Sequence, residues 1–156
     1  MTDLRDARLL LIDDQAANLR LLEQLLQSEG FAQVVSTTDP RRSLDLVKAF
    51  DPDLVILDLK MPQLDGYAVL EQLRREAGPD QFRPVLVLTA DDSLEARRRA
   101  LALGARDFLA KPFDALEAML RVWNLLELRA LYQRLRRADP AASAPAPPLS
   151  TPDGAA

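Results

Sequence analysis

Asp13 and Asp14 stand side by side after one short apolar run, Asp58 closes a second, Thr89 follows a third, and Lys111 lies beyond a fourth apolar stretch. Carboxylates, a hydroxyl and a lysine are the types that phosphoryl transfer to a protein side chain uses. A carboxylate attacks phosphorus to give an acyl phosphate, provided the incoming negative charge is neutralised. Asp58 has the partners for this: the Lys111 ammonium would supply compact positive charge and the Thr89 hydroxyl would donate to a phosphoryl oxygen, so catalysis would be positioning plus electrostatics. Asp13, Asp14 and Asp58, once crowded together, would raise one another's pKa values by repulsion unless a cation sat among them. Magnesium suits such a site, because it prefers oxygen ligands and retains waters that phosphate oxygens can replace.

Those residues act together only in a fold that brings separate segments to one place. Leu9 to Ile12, Leu54 to Leu57 and Val85 to Leu88 are short continuous apolar runs, as expected of parallel strands covered on both faces. Val34 to Thr37 and Phe108 to Leu109 are weaker strand signals. Helix patterns alternate with them. Leu19, Leu22, Leu25 and Leu26 repeat at helical spacing, Asp39-Pro40 reads as an N-cap followed by proline at the first helical position, and Leu70 and Leu73 mark a third helix. Ser93 caps a fourth that runs through Ala100 and Leu101 to Gly104, and Asp114 opens a fifth with Glu117 in a capping-box arrangement.

Strands alternating with helices predict a doubly wound α/β domain with a five-stranded parallel sheet in the order 2-1-3-4-5 and five helices, the last one extended. In such sheets ligands sit beyond the carboxyl ends of the strands, where the strand order reverses. Asp13, Asp14, Asp58, Thr89 and Lys111 all fall at predicted strand ends. The expected layout is an N-terminal arm over 1–8, the domain over 9–127, a helix extension over 128–138 and a disordered proline- and alanine-rich tail or linker over 139–156, with no output domain.

The chain has 156 residues, enough for one packed domain. A formal charge of -4 argues against a nonspecific nucleic-acid surface. Without cysteine there is no disulfide or thiolate metal site, and without histidine no His-based zinc site, Ser-His catalysis or phosphohistidine of its own. A phosphohistidine donor would therefore have to be a partner. No apolar run approaches a membrane span, and the expected location is the cytoplasm.

Taken in order, LLIDDQ, LVILDLKMPQLDGYAVL, VLVLTA and GARDFLAKPF resemble the successive signatures of receiver domains in two-component signalling, over roughly Leu9 to Leu126. The resemblance implies that Asp58 is the phosphoacceptor, that Asp13 and Asp14 bind magnesium directly or through water, and that the backbone carbonyl of Lys60 completes the metal site. It implies for Thr89 and Lys111 the roles of switch hydroxyl and phosphate-binding lysine, for Lys111-Pro112 a cis peptide, and for Phe108 an aromatic switch that rotates inward on activation. The partners it implies are a sensor histidine kinase or phosphotransfer protein and a downstream effector domain or protein. The role would be regulatory and not metabolic. A cationic side chain at Lys60 would shield the site from water.

Each feature also has a plainer reading. Asp13 alone would serve as a helix N-cap, Thr89 as an ordinary strand residue, Phe108 as a core aromatic, and Asp65-Gly66 as turn chemistry before a helix. Arg97, Arg98 and Arg99 read as a solvated helix face. Leu125, Leu128, Tyr132 and Leu135 form a stripe at coiled-coil spacing that would support a homodimer, or would fold back on the chain's own domain. Three other functions make demands that the sequence can be held against. A magnesium-dependent aspartyl-phosphate phosphatase of the haloacid-dehalogenase type would need a DxD after the first strand, which DDQAA lacks. A nucleotide or flavin module would need a glycine-rich phosphate loop, and the sequence has none. A receiver-like scaffold that signals without phosphorylation is the remaining alternative.

Overall fold

The computed structural model describes residues 3–61, 64–78, 81–141 and 143–146. Five strands, β1 (Arg8–Ile12), β2 (Gln33–Thr37), β3 (Leu54–Asp58), β4 (Val85–Thr89) and β5 (Asp107–Ala110), form one sheet in the order β2-β1-β3-β4-β5. Every neighbouring pair is parallel. Five helices follow the strands: α1 (Ala16–Ser28), α2 (Ser43–Phe50), α3 (Gly66–Ala77), α4 (Leu94–Ala102) and α5 (Ala115–Ala138). The predicted α/β class and strand order are the observed ones.

The continuous apolar strands make sense because both faces of the sheet are covered. Leu9, Leu11, Leu54, Ile56, Leu86 and Leu88 pack with the leucines of α1 and with Met119, Val122, Leu125 and Leu126 of α5. Leu10, Ile12, Val55, Leu57, Val85 and Val87 pack with Val47 of α2, Val69, Leu70 and Leu73 of α3, and Ala100 of α4. Side chains alternate between faces along each strand, so each of the central strands feeds both layers. Each buried aliphatic side chain is worth about 1.5–3 kcal/mol relative to exposure, which makes the three central strands a firm platform for whatever their ends carry.

Local capping follows the sequence closely. Asp39 caps a 3-10 turn, Pro40–Arg42, that leads into α2. Ser93 Oγ accepts from Ala96 N–H at the start of α4, and Gly104 takes the left-handed φ of +105° that ends it. Asp114 Oδ1 accepts from Leu116 N–H and not from Glu117 N–H as the expected capping box requires, so α5 has a simple N-cap, and the Glu117 carboxylate lies 3.7 Å from Arg121. At the other end of the chain Leu4–Asp6 form a 3-10 turn capped by Asp3, where an arm was expected.

The extended part of α5 is tied to the base of the sheet. Arg129 Nε lies 2.9 Å from Asp53 Oδ1, Asp53 Oδ2 accepts from Arg8 N–H at 2.8 Å, and Arg129 also donates to the Phe82 carbonyl. Tyr132 packs edge-on against Phe82 with ring centroids 5.8 Å apart. These contacts alter the expected coiled-coil stripe: Leu125 and Tyr132 are buried in the chain's own fold, while Leu131 and Leu135 are exposed. Of the proline- and alanine-rich tail, 139–141 and 143–146 are described, and Arg106 donates to the Ala146 carbonyl; the rest lies outside the described residues.

Candidate functional site

The carboxyl ends of β1, β3, β4 and β5 deliver the site. Register pairs Ile12 with Leu57 and Asp58 with Leu88, so Asp13 and Thr89 each stand one step past those pairs. Asp13 is buried, its N–H donating to the Thr37 carbonyl at 3.2 Å and its Oδ1 accepting from Gln15 N–H at 2.9 Å. It is not a helix N-cap, since Gln15 holds that position. Asp58 is 8% exposed, and its Oδ1 accepts from Lys60 N–H at 3.1 Å.

Lys111 joins the two acids. Its N–H donates to the Thr89 carbonyl at 2.8 Å, which fixes the start of the loop after β5, and the following bond to Pro112 is cis. From there Lys111 Nζ reaches Asp13 Oδ2 at 3.1 Å and Asp58 Oδ2 at 3.3 Å. Thr89 is fully buried, and its Oγ1 accepts from Asp91 N–H at 3.3 Å. That bond occupies an oxygen lone pair and leaves the hydroxyl hydrogen to donate. Phe108 is buried at the second face of the sheet, with the Arg97 guanidinium 5.5 Å from its ring centroid. The side chain of Lys60 is exposed, and its charge reaches Asp91, helping to hold that carboxyl below its ordinary value after the bonds from Ser93.

Asp13, Asp14 and Asp58 place carboxylate oxygens within 4.8 Å of one another. Asp14 Oδ1 is buried with no hydrogen-bond partner, a costly state for a polar atom unless a cation takes the free lone pair. An all-oxygen donor set with an orphaned carboxylate atom fits a hard divalent cation such as Mg2+.

Burial, more than repulsion, pushes the Asp58 carboxyl above its ordinary value; the Lys60 N–H and the Lys111 ammonium oppose this, and Asp13 adds to it. The expected mutual repulsion is thus the lesser cause. A carboxyl raised in the folded state contributes stability that is fully present below the ordinary value of 3.8 and is lost as pH rises through the folded value. In chelator at pH 7, Asp58→Asn is therefore expected to be more stable than wild type. The gain should shrink as pH falls toward 3.8. Urea unfolding of both proteins across that range checks it, and a variant less stable than wild type at pH 7 would contradict it.

Asp91, whose N–H donates to Thr89 Oγ1, is a further residue at the site, and the acidic pair after Thr89 in TADDS is its visible signal in the sequence. Arg97 and Arg99 do not form a simple solvated face: each guanidinium lies over an aromatic ring, Phe108 and Tyr67 respectively.

Comparison with known proteins agrees with this geometry. Residues 9–122 match the family model of the response regulator receiver domain. The chain is 40% identical over 119 residues to the transcriptional regulator ycf27 of Porphyridium aerugineum, covering 76% of this chain and 48% of that protein. It is 40% identical over 136 residues to the response regulator MprA of Mycobacterium tuberculosis strain H37Rv, covering 87% of this chain and 55% of that protein. It therefore spans about half the length of the curated relatives it matches. The crystal structure of the signal receiver domain of a LuxO repressor protein from Vibrio parahaemolyticus superposes with a TM-score of 0.76 at 27% identity, covering 83% of this chain and 97% of that one. The receiver domain of the Francisella response regulator 1452 does so with a TM-score of 0.71 at 29% identity, covering 78% and 98%. A parallel sheet in this order, with acids and a lysine at its carboxyl edge and a family match across nearly all of its elements, makes the chain a member of the response regulator receiver family of two-component systems.

Proposed function

We propose that this receiver domain accepts a phosphoryl group on Asp58 from the phosphohistidine of a partner kinase or phosphotransfer protein. The observation that carries the reading is the position of Lys111 Nζ, 3.1 Å from Asp13 and 3.3 Å from Asp58, beside the unpartnered buried oxygen of Asp14. Asp13, Asp14, Asp58 and the Lys60 carbonyl would hold Mg2+, which when bound neutralises charge on the transferring phosphoryl group. An Asp58 oxygen attacks phosphorus, the bond from phosphorus to the donor imidazole breaks, and the imidazole leaves with the electron pair. The Lys111 ammonium turns to the phosphoryl oxygens, and the Thr89 hydroxyl donates to another. Thr89 and Phe108 then pass the change to the face formed by α4, β5 and α5. Water returns Asp58 to the free carboxylate.

The domain boundaries follow the same reading: a receiver over 9–127, a helix extension over 128–138, and a linker from 139. The partners are the kinase and a downstream effector, with no direct nucleic-acid contact and a cytoplasmic location. Among the described residues no helix is long and apolar enough to cross a membrane. A homodimer through the last helix would use the exposed Leu131 and Leu135.

Incubation with acetyl phosphate and Mg2+ is expected to give one phosphoryl adduct by intact-mass spectrometry, and chelator should prevent it. No adduct from the folded, Mg2+-supplied protein would favour the phosphorylation-independent scaffold. Lys60 follows Asp58 by two residues with its side chain exposed, and its positive charge would hinder attacking water. Lys60→Ala is expected to shorten the lifetime of phospho-Asp58 severalfold, and an unchanged lifetime would sink that role.

A further inference from the structure

Helix α4 is thinly anchored by apolar side chains. Its buried residues are Ala96 and Ala100, whereas α3 buries Val69, Leu70 and Leu73, and α5 buries Met119, Val122, Leu125, Leu126 and Tyr132. Side chains that end at Cβ remove little apolar area from water, so other contacts must hold α4 in place.

Two of them are arginines of α4 lying over rings on neighbouring elements. The Arg97 guanidinium is 5.5 Å from the centroid of Phe108, and that of Arg99 is 3.9 Å from the centroid of Tyr67. Arg99 Nη2 also lies 3.8 Å from Asp65 Oδ2. The Arg99 guanidinium thus joins the Tyr67 ring and the Asp65 carboxylate, both at the start of α3. Arg74 of α3 makes a second link at the far end of α4, with Nη1 3.5 Å from the Ala102 carbonyl.

Tyr67 and Asp65 lead back to the phosphoacceptor segment. Asp65 Oδ1 accepts from Tyr67 N–H at 3.0 Å, which fixes the first turn of α3. That turn is pressed against the residue after Asp58: Gly66 N–H donates to the Leu59 carbonyl at 3.1 Å, and a Cβ on Gly66 would come within 2.4 Å of Leu59 Cα. Asp58, Leu59, Gly66, Tyr67 and Arg99 form one contiguous chain of contacts ending on α4.

We propose that Arg99 is a positioning residue which, stacked on Tyr67 and paired with Asp65, holds α4 where the segment after Asp58 sets it, so that events at Asp58 and the position of α4 are coupled through this contact. The coupling, though not the clamp, rests on Asp58 being the phosphoacceptor. A half-exposed stack and ion pair are modest interactions. That suits a two-state element, since a modest contact biases a weakly anchored helix and is readily reversed.

Hydrogen exchange of the full chain, with and without beryllium fluoride and Mg2+ as a phosphoryl mimic, tests both parts. Without the mimic, Arg99→Ala and Tyr67→Ala are each expected to make amides of 94–102 exchange about fivefold faster, while β1 and β3 are unchanged. Tyr67→Phe keeps the ring and should match wild type, and the double variant Arg99→Ala with Tyr67→Ala should exchange no faster than either single. With the mimic, exchange in α4 should shift in wild type and stay put in Arg99→Ala, although the adduct forms in both. Exchange in Arg99→Ala within about twofold of wild type, or additive effects in the double variant, overturns the clamp. An α4 in wild type that ignores a formed adduct overturns the coupling. An adduct that never forms overturns the Asp58 reading instead, and the clamp then stands or falls on exchange without the mimic.

Discussion

Lys111→Met is expected to slow phosphoryl uptake from acetyl phosphate by about 100-fold or more, the range seen when one preorganised donor to a developing negative charge is removed. Methionine keeps much of the stem and removes the ammonium, which lies 3.1 Å from Asp13 and 3.3 Å from Asp58. Two effects then add. Asp58 loses one of the charges that oppose the upward push of burial, so less of it is ionised at a given pH. The incoming phosphoryl group loses the positive charge that Lys111 holds beside Asp58. Mg2+ affinity should move the other way, tightening severalfold, because a competing cation has gone from between two ligand carboxylates. Uptake kinetics by intact mass and Mg2+ titration separate the two. Uptake within about threefold of wild type would remove Lys111 from the mechanism.

Gly66→Ala is expected to cost about 3 kcal/mol of stability, lowering the unfolding midpoint by roughly 10 °C for a chain of this size. A Cβ there would meet Leu59 backbone atoms at 2.4, 2.6 and 2.8 Å. Backbone cannot yield as a flexible side chain does, so α3 must slide or the loop after Asp58 must bend. The Lys60 N–H that holds Asp58 Oδ1 lies in that loop, so phosphoryl uptake should fall as well. Thermal unfolding and uptake measured on the same variant check both effects, and a midpoint within about 2 °C of wild type would contradict the steric account.

Gly66 also marks where sequence reasoning ends. Asp65-Gly66 reads as turn chemistry, and Asp65 does cap α3; what the dipeptide does not announce is that glycine is demanded by proximity to Leu59 and not by a left-handed φ. Proximity between segments becomes visible only in three dimensions. The same holds for Arg97 and Arg99, whose charge suggested solvent while their ring partners lie on β5 and α3. Leu125 and Tyr132 kept helical spacing, but the spacing could not tell a partner chain from the chain's own base; the Arg129 to Asp53 pair and the ring of Phe82 decide where they pack.

What the sequence did carry was strong because it was redundant. Unbroken apolar runs of β1, β3 and β4 require cover on both faces, and alternation with helices then leaves a doubly wound sheet. Asp13, Asp14, Asp58, Thr89 and Lys111 each follow or close a strand, so one topological rule gathers them at one edge. The upward push of Asp13 on Asp58 is legible in the sequence, and the fold adds a larger one. Crowded acids suggest repulsion, but Lys111 lies between Asp13 and Asp58, and burial at the end of β3 is left as the larger push.

The most direct test of the account is where the phosphoryl group goes. Wild type and Asp58→Asn, both shown to be folded, are incubated with acetyl phosphate and Mg2+ and weighed intact. The account predicts a single phosphoryl adduct on wild type that chelator prevents, and none on Asp58→Asn. An adduct of equal yield on Asp58→Asn would contradict it.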